Sequence, residues 1–350
     1  MNILYYIEPK RGEGGVSNVA SYLPKALSRK ANVTYFPRIV SKKGILNIFN
    51  VYWKYVLGKF DVIHFNVPPT WINGSYIMLK SARRCGIPTV LNIHGLVQLE
   101  HAFDPKVRPI SYLQLLNYSN SSNLVDRIVV NSEYMKKRVA VSYRLNRDKI
   151  VVIPNGIDLR EFKKNNAKIE LDGDPAILSV GLVSFVKGFD ILIRSTAMLK
   201  HKLPKMKVHF VGQAAKQYIN LAKASGLEDS IVFHGEVEHS MINRYYASAD
   251  ILVIASRTEG FSLALIEAMA SGLPVVASNI GSLSEIISNG TNGILFQNEN
   301  SVNLSNAIFE LHQNPILRRH FSDNGLKTSK KYDWKNIAEK YISLYRELAS

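Results

Sequence analysis

One cysteine, Cys85, stands in 350 residues, so no disulfide can join two parts of the chain and a reducing compartment is the natural fit. Its context, Arg83-Arg84-Cys85-Gly86, reads as a helix end, where a buried or inert thiol is expected rather than a catalytic one. No uninterrupted apolar run approaches the length of a membrane span. Met1 leads directly into the strand-like run Ile3 to Ile7, without the basic start, apolar core and cleavage site of a secretion signal, so a cytoplasmic protein is expected. The nine histidines form no His/Cys/carboxylate ligand spacing, so no catalytic metal is expected.

What is present is ordinary globular composition, 46% hydrophobic and 21% charged, in a chain long enough for two domains with separate cores. The net charge of +16 is unevenly spread: residues 1–165 carry 25 Lys and Arg against 10 Asp and Glu, residues 166–350 carry 19 against 18. Such a bias implies an anionic partner or a merely solvated basic face. No nucleic-acid recognition motif accompanies it, so a membrane surface or an acidic small molecule fits better, and no nucleic-acid partner is expected. The segment 42–59 mixes Lys42, Lys43, Lys54 and Lys59 with Phe49, Tyr52, Trp53 and Tyr55, a pattern that suits either a crossover helix or a bilayer interface.

Along the chain, short Ile/Val-rich runs alternate with helical patterns, as in parallel sheets covered on both faces. Asn2 to Ile7 reads as the first strand, and Gly14-Gly15 stands at the turn into a helix, where glycines let a backbone approach a ligand. Pro88 to Ile93 reads as a strand ending at His94-Gly95, the end at which open α/β sheets bind ligands. His64 has a similar place but reads as structural. After Pro154-Asn155-Gly156-Ile157-Asp158, the polar stretch Asp158 to Pro175 reads as a linker, and the acidic Asp172-Gly173-Asp174 inside it as a turn rather than a metal site. Ala176 to Val180 opens a second series of strands, and Lys187-Gly188 precedes a helix over Phe189 to Leu199, so an ammonium and a helix dipole stand together where a diphosphate can bind.

The most informative stretch is Ile251 to Ser278, ILVIASRTEGFSLALIEAMASGLPVVAS. Two buried strands enclose a helix of about Leu263 to Ser271, with Ser262 as its cap and Gly272 and Pro274 as its stop. Glu259 lies in the loop before that helix and Glu267 inside it, so two carboxylates flank a helix start that attracts phosphate. A carboxylate in so apolar a helix costs several kcal/mol unless hydrogen-bonded, so Glu267 needs a partner, either a protein cation or a ligand hydroxyl.

EGFSLALIEAMASGLPVVAS resembles the E-x7-E donor-site signature of the large retaining, nucleotide-sugar-dependent GT-B glycosyltransferase family (glycosyl transferases group 1), whose members include phosphatidylinositol mannosyltransferases. LNIHG, the PNGID turn and G-L-V-S-F-V-K-G extend the likeness over nearly the whole chain. The resemblance implies two Rossmann-like, doubly wound α/β domains facing across a cleft: 1–165 on the acceptor side, 166–330 holding the donor, and 331–350 a helix returning to the first. It implies His94, Lys187 and Glu259 as catalytic residues. Donor binding would fall to Gly14, Gly15, Lys187, Gly235, Val237, Glu259, Gly260, Phe261, Ser262, Leu263 and Glu267.

The donor implied is a nucleoside diphosphate sugar, UDP ahead of GDP, with no cofactor beyond it. The acceptor implied is a hydroxyl of a glycan or glycolipid, lipid-linked or anionic, in polysaccharide or glycolipid assembly, which would put the protein in the cytoplasm at the inner membrane face. One position departs from the family pattern: Leu182 stands where an arginine is usual, so Lys187 acts with backbone donors alone, or Arg257 substitutes. A nucleotide-sugar epimerase of the same fold and a non-catalytic nucleotide-sugar or glycan-binding module are the competing readings.

Overall fold

The computed structural model describes residues 1–7, 15–37, 59–69, 75–95, 112–163 and 167–350. Gly14 and nearly all of the basic aromatic segment 42–59 lie outside them. The chain forms two compact units: one holds the described residues up to Gly156 together with Trp334–Ser350, the other holds Ile157–Asp333.

The first unit is a six-stranded sheet of β1 (Asn2–Ile7), β2 (Asn32–Pro37), β3 (Val62–Phe65), β4 (Thr89–Ile93), β5 (Arg127–Val130) and β6 (Ile150–Val152), in the order β2-β1-β3-β4-β5-β6. Every pairing is parallel. Helices α1 (Gly15–Leu27), α2 (Ser75–Arg84), α3 (Tyr112–Leu124) and α4 (Glu133–Ser142) connect them. Each residue of β3 and β4 is buried, which is why these strands read as unbroken runs rather than alternating ones. Cys85 falls just past the end of α2 and is exposed, so of the two expectations, buried or inert, burial does not hold: the turn carries it clear of the packed face.

The second unit repeats the plan with β7 (Ala176–Val180), α5 (Phe189–Leu199), β8 (Lys207–Val211), α6 (Lys216–Ala224), β9 (Ile231–Gly235), α7 (His239–Ser248), β10 (Ile251–Ile254), α8 (Leu263–Ala270), β11 (Val275–Ser278), α9 (Gly281–Ser284), β12 (Ile294–Phe296), α10 (Ser301–Gln313) and α11 (Pro315–Ser329). Its parallel strands run β12-β11-β10-β7-β8-β9, so strand order reverses between β7 and β10. Ligands of open α/β sheets bind beyond the carboxyl ends of strands at such a reversal.

The stretch read as a free linker is partly packed. Phe162 is buried in the second unit's core with its ring against Tyr246 and His239, and Ile157 N–H donates to the Tyr332 carbonyl. Asp172-Gly173-Asp174 forms a turn in which Asp172 pairs with Lys207 at 3.0 Å.

A last helix, α12 (Trp334–Ala349), belongs to the first unit. Ile337, Ala338, Tyr341, Ile342 and Tyr345 recur at helical spacing and are all buried. Tyr345 is hydrogen-bonded to His64 Nδ1, and Tyr341 donates to Asn92 Oδ1 at 3.1 Å. His64 is thus fully buried within an aromatic cluster of Tyr5, Tyr341 and Tyr345. No helix among the described residues is long and apolar enough to cross a membrane.

Candidate active site

At the strand-order reversal of the second unit, the loop leaving β7 is zipped to the loop leaving β10. Gly188 adopts φ +67°, and a Cβ there would stand 1.9 Å from the Ala255 carbonyl oxygen, so only glycine lets the two loops approach this closely. Beside it, Arg257 N–H donates to the Val186 carbonyl at 2.8 Å. The Arg257 guanidinium donates to the Phe185 carbonyl at 2.6 Å, grips Asp190 through two bonds of 2.8 Å, reaches Glu299 at 3.2 Å and lies 3.6 Å over the Phe185 ring. With its side chain 4% exposed and its donors committed, Arg257 is a structural tie between loops and does not replace the cation missing at Leu182, which is itself exposed.

The zipped loops bring Lys187 and Glu259 together. Lys187 Nζ lies 2.7 Å from Glu259 Oε2, which also accepts from Ser256 Oγ at 3.1 Å, and Ser282 Oγ fixes the Glu259 main-chain carbonyl. The ammonium is about one-third exposed, so the pair sits at the rim of the protein rather than inside it.

Glu259 leads into α8, whose cap is Ser262: its Oγ accepts from Leu265 N–H at 3.3 Å. Among the described residues the amides of Phe261, Ser262 and Leu263 donate to no acceptor, leaving main-chain N–H groups at a positive helix end. Phe261 is buried against Tyr332, which anchors the entry to the helix; Gly260 and Leu263 are partly exposed beside it.

Glu267 is 8% exposed, and its protein partner is not a cation but the Tyr246 hydroxyl, donating to Oε2 at 2.9 Å. Burial pushes its carboxyl up to about 7; the Tyr246 bond counters this and the charge of Glu161 adds to it. Gly235, at φ +71° with open space where a Cβ would project, ends β9, and half-buried Val237 follows it. The preceding His234 receives the Tyr245 hydroxyl on Nδ1 at 3.4 Å and meets His209 Nδ1 through Nε2 at 3.0 Å, while His209 Nε2 bonds the Asp172 carbonyl at 2.8 Å. Burial lowers the pKa of both rings, and neutral tautomers satisfy the whole chain of bonds.

In the first unit, His94 follows β4, next to the reversal of strand order between β1 and β3. Its Nε2 lies 3.0 Å from Asn66 Oδ1, its carbonyl accepts from Asn131 Nδ2 at 3.2 Å, and burial brings its pKa down to about 4. Gly15 is the first residue of α1.

The second unit therefore gathers Lys187, Glu259, Gly260, Phe261, Ser262 and Leu263 at one strand-end crevice, with Glu267 one helix turn behind. Sequence reasoning passed over Asp190, Glu299, Ser256, Ser282, Tyr246 and Asn66. Of these only Asp190 carried a local signal, an acid in the first turn of a helix immediately after Gly188.

Two doubly wound parallel sheets on one chain, with an ammonium, a carboxylate and open amides at the reversal of the second, define a two-domain GT-B fold. The chain belongs to the group 1 GT-B glycosyltransferases: residues 161–328 match the family of glycosyl transferases group 1, and residues 14–161 match glycosyltransferase family 4. It is 28% identical over 302 residues to an uncharacterized glycosyltransferase of Methanocaldococcus jannaschii, covering 82% of this chain and 75% of that one. A D-inositol 3-phosphate glycosyltransferase of Actinosynnema mirum is 25% identical over 312 residues, covering 82% and 72%. The fold is shared with Anabaena HepE, solved with UDP, at a TM-score of 0.78 and 19% identity over 99% of this chain and 100% of that one. Sucrose-phosphate synthase of Thermosynechococcus elongatus gives 0.79 and 20% over 99% and 98%.

Proposed function

We propose that the protein transfers a sugar, with retention of configuration and without a metal, from a nucleoside diphosphate sugar to a hydroxyl of a glycan or glycolipid acceptor. The observation that carries this reading is Lys187 beside Glu259 in front of the open amides of α8. UDP is favoured as the nucleotide, since the similarly folded HepE was solved with UDP and with UDP-glucose.

Cleavage of the bond between the anomeric carbon and the diphosphate leaves an oxocarbenium-like sugar and puts negative charge on the departing oxygen. Lys187 and the amides of Phe261, Ser262 and Leu263 stabilise that charge by groups already in position. Glu259 takes sugar hydroxyls, Glu267 takes the ribose, and Gly235 and Val237 border the base; His94, Gly14 and Gly15 are assigned to the donor by the family resemblance. The departing phosphate oxygen accepts the proton of the acceptor hydroxyl, whose oxygen bonds the anomeric carbon from the same face. The basic excess of residues 1–165 suits an anionic or lipid-linked acceptor, and with it a working place on the cytoplasmic membrane face.

Incubation with labelled UDP-sugars, with and without lipid-linked acceptors, tests the reading: acceptor-dependent release of UDP with an α-linked product is expected. Interconversion of free sugars, binding without turnover, or an inverted product would each overturn it.

A further inference from the structure

We propose that Asn66 is a positioning residue: it holds His94 as the Nε2–H tautomer, so that His94 offers Nδ1, an acceptor, to a sugar hydroxyl. The hydroxyl contact rests on the reading of His94 given above; the tautomer rests on Asn66 alone. Asn66 directly follows β3, and its main-chain N–H donates to the Tyr6 carbonyl at 3.1 Å, extending the sheet ladder by one residue. It is 2% exposed, and the aromatic ring of Tyr5 closes it from β1.

Asn66 Oδ1 receives the Tyr5 hydroxyl at 2.9 Å and lies 3.0 Å from His94 Nε2. An amide oxygen has two lone pairs and no proton, so the second contact requires hydrogen on Nε2. Desolvation keeps the ring neutral, and a neutral imidazole protonated at Nε2 carries a bare lone pair at Nδ1. No side chain among the described residues bonds Nδ1; the Asn66 backbone is the ring's other polar neighbour, Nε2 is met by Asn66 Oδ1, and the His94 carbonyl is held by Asn131. An acceptor at Nδ1 selects a hydroxyl and repels an anionic oxygen. His94 therefore discriminates for a sugar bearing a free hydroxyl at the contacted carbon.

Histidine-labelled 15N protein tests this directly, with the His94 signals assigned by their loss in His94→Gln. The expected wild-type pattern is protonated Nε2 and bare Nδ1. Asn66→Ala should mix the tautomers and lower kcat about three- to tenfold, the worth of one hydrogen bond, with the donor KM moving less. Asn66→Asp keeps the acceptor but adds charge, so it should retain the tautomer and recover turnover only on the alkaline side of a raised imidazole pKa. Hydrogen on Nδ1 in the wild type, or an Asn66→Ala protein with unchanged tautomer and turnover, overturns the proposal. Should Asn66→Ala fail to fold, the wild-type spectrum decides. The stated tautomer in a protein that processes no nucleotide sugar would instead remove the functional reading and leave the tautomer standing.

Discussion

Glu259 pairs with Lys187 at 2.7 Å, so the ammonium assigned to the diphosphate already has a carboxylate partner of its own. A bound diphosphate has to displace the carboxylate, and the freed carboxylate is then available to sugar hydroxyls. Glu259→Gln should therefore bind UDP about two- to fivefold more tightly than wild type, the range of a partly exposed ion pair, while kcat/KM for transfer falls. Calorimetry with UDP reads the first effect; weaker UDP binding in the variant would show that Glu259 helps rather than opposes the phosphate.

Lys187→Ala should do the reverse. Loss of one charge-assisted hydrogen bond of about 1.5–3 kcal/mol weakens UDP binding roughly 10- to 150-fold. An unchanged dissociation constant would take Lys187 out of the phosphate site.

Gly188→Ala sets a methyl group against the Ala255 carbonyl and holds alanine at φ +67°. Backbone strain of this kind costs about 1–3 kcal/mol before the clash is counted. Urea unfolding should show a loss at or above that range, and a wild-type midpoint would mean that the two loops separate without cost.

Asp190→Asn leaves the buried Arg257 guanidinium with half its carboxylate contacts gone. Breaking one side of a buried pair costs about 3–5 kcal/mol. The loss should appear in the unfolding midpoint and, through the displaced Val186–Arg257 tie, in donor KM. If KM alone changed while stability held, the pair would be acting on the ligand and not on the loops.

Glu267 makes stability depend on pH. Its folded pKa, about 7, lies above the usual carboxylate value because burial disfavours the anion. The folded state then binds the proton more tightly than the unfolded chain, so this contribution is present in full below pH 4.5 and is lost as pH rises through about 7. Glu267→Gln should flatten the stability profile between those limits, and Tyr246→Phe should move the loss to higher pH by removing the bond that favours the anion. Urea titrations across this range check both; a steeper profile in Glu267→Gln would contradict the sign.

Much of the fold could be read from the chain because strands buried on both faces appear as unbroken Ile and Val runs. Helix Phe189–Leu199 falls where the sequence sets it, and Ser262 caps α8 as its hydroxyl suggests. Contacts between distant residues could not be read. Lys187 and Glu259 meet only because β10 lies next to β7, and nothing local to either residue reveals that neighbour. Arg257 showed its charge but not its partners, since Asp190 and Glu299 lie 67 and 42 residues away. Tyr246 could not be assigned to Glu267 for the same reason. Whether Cys85 is buried could not be read either, because burial at a helix end depends on which way the turn faces.

The helix Trp334–Ala349 inserts Tyr341 and Tyr345 beside His64 of β3, yet it is made after the entire second unit. On the ribosome, then, the first unit is begun before the second and completed after it. Its aromatic cluster stays incomplete until Trp334–Ser350 emerges, while the intervening unit has all its strands in hand and can assemble first. Newly made chains should accordingly pass through a stage with one half native and the other awaiting closure, when a chaperone or a protease would find its target.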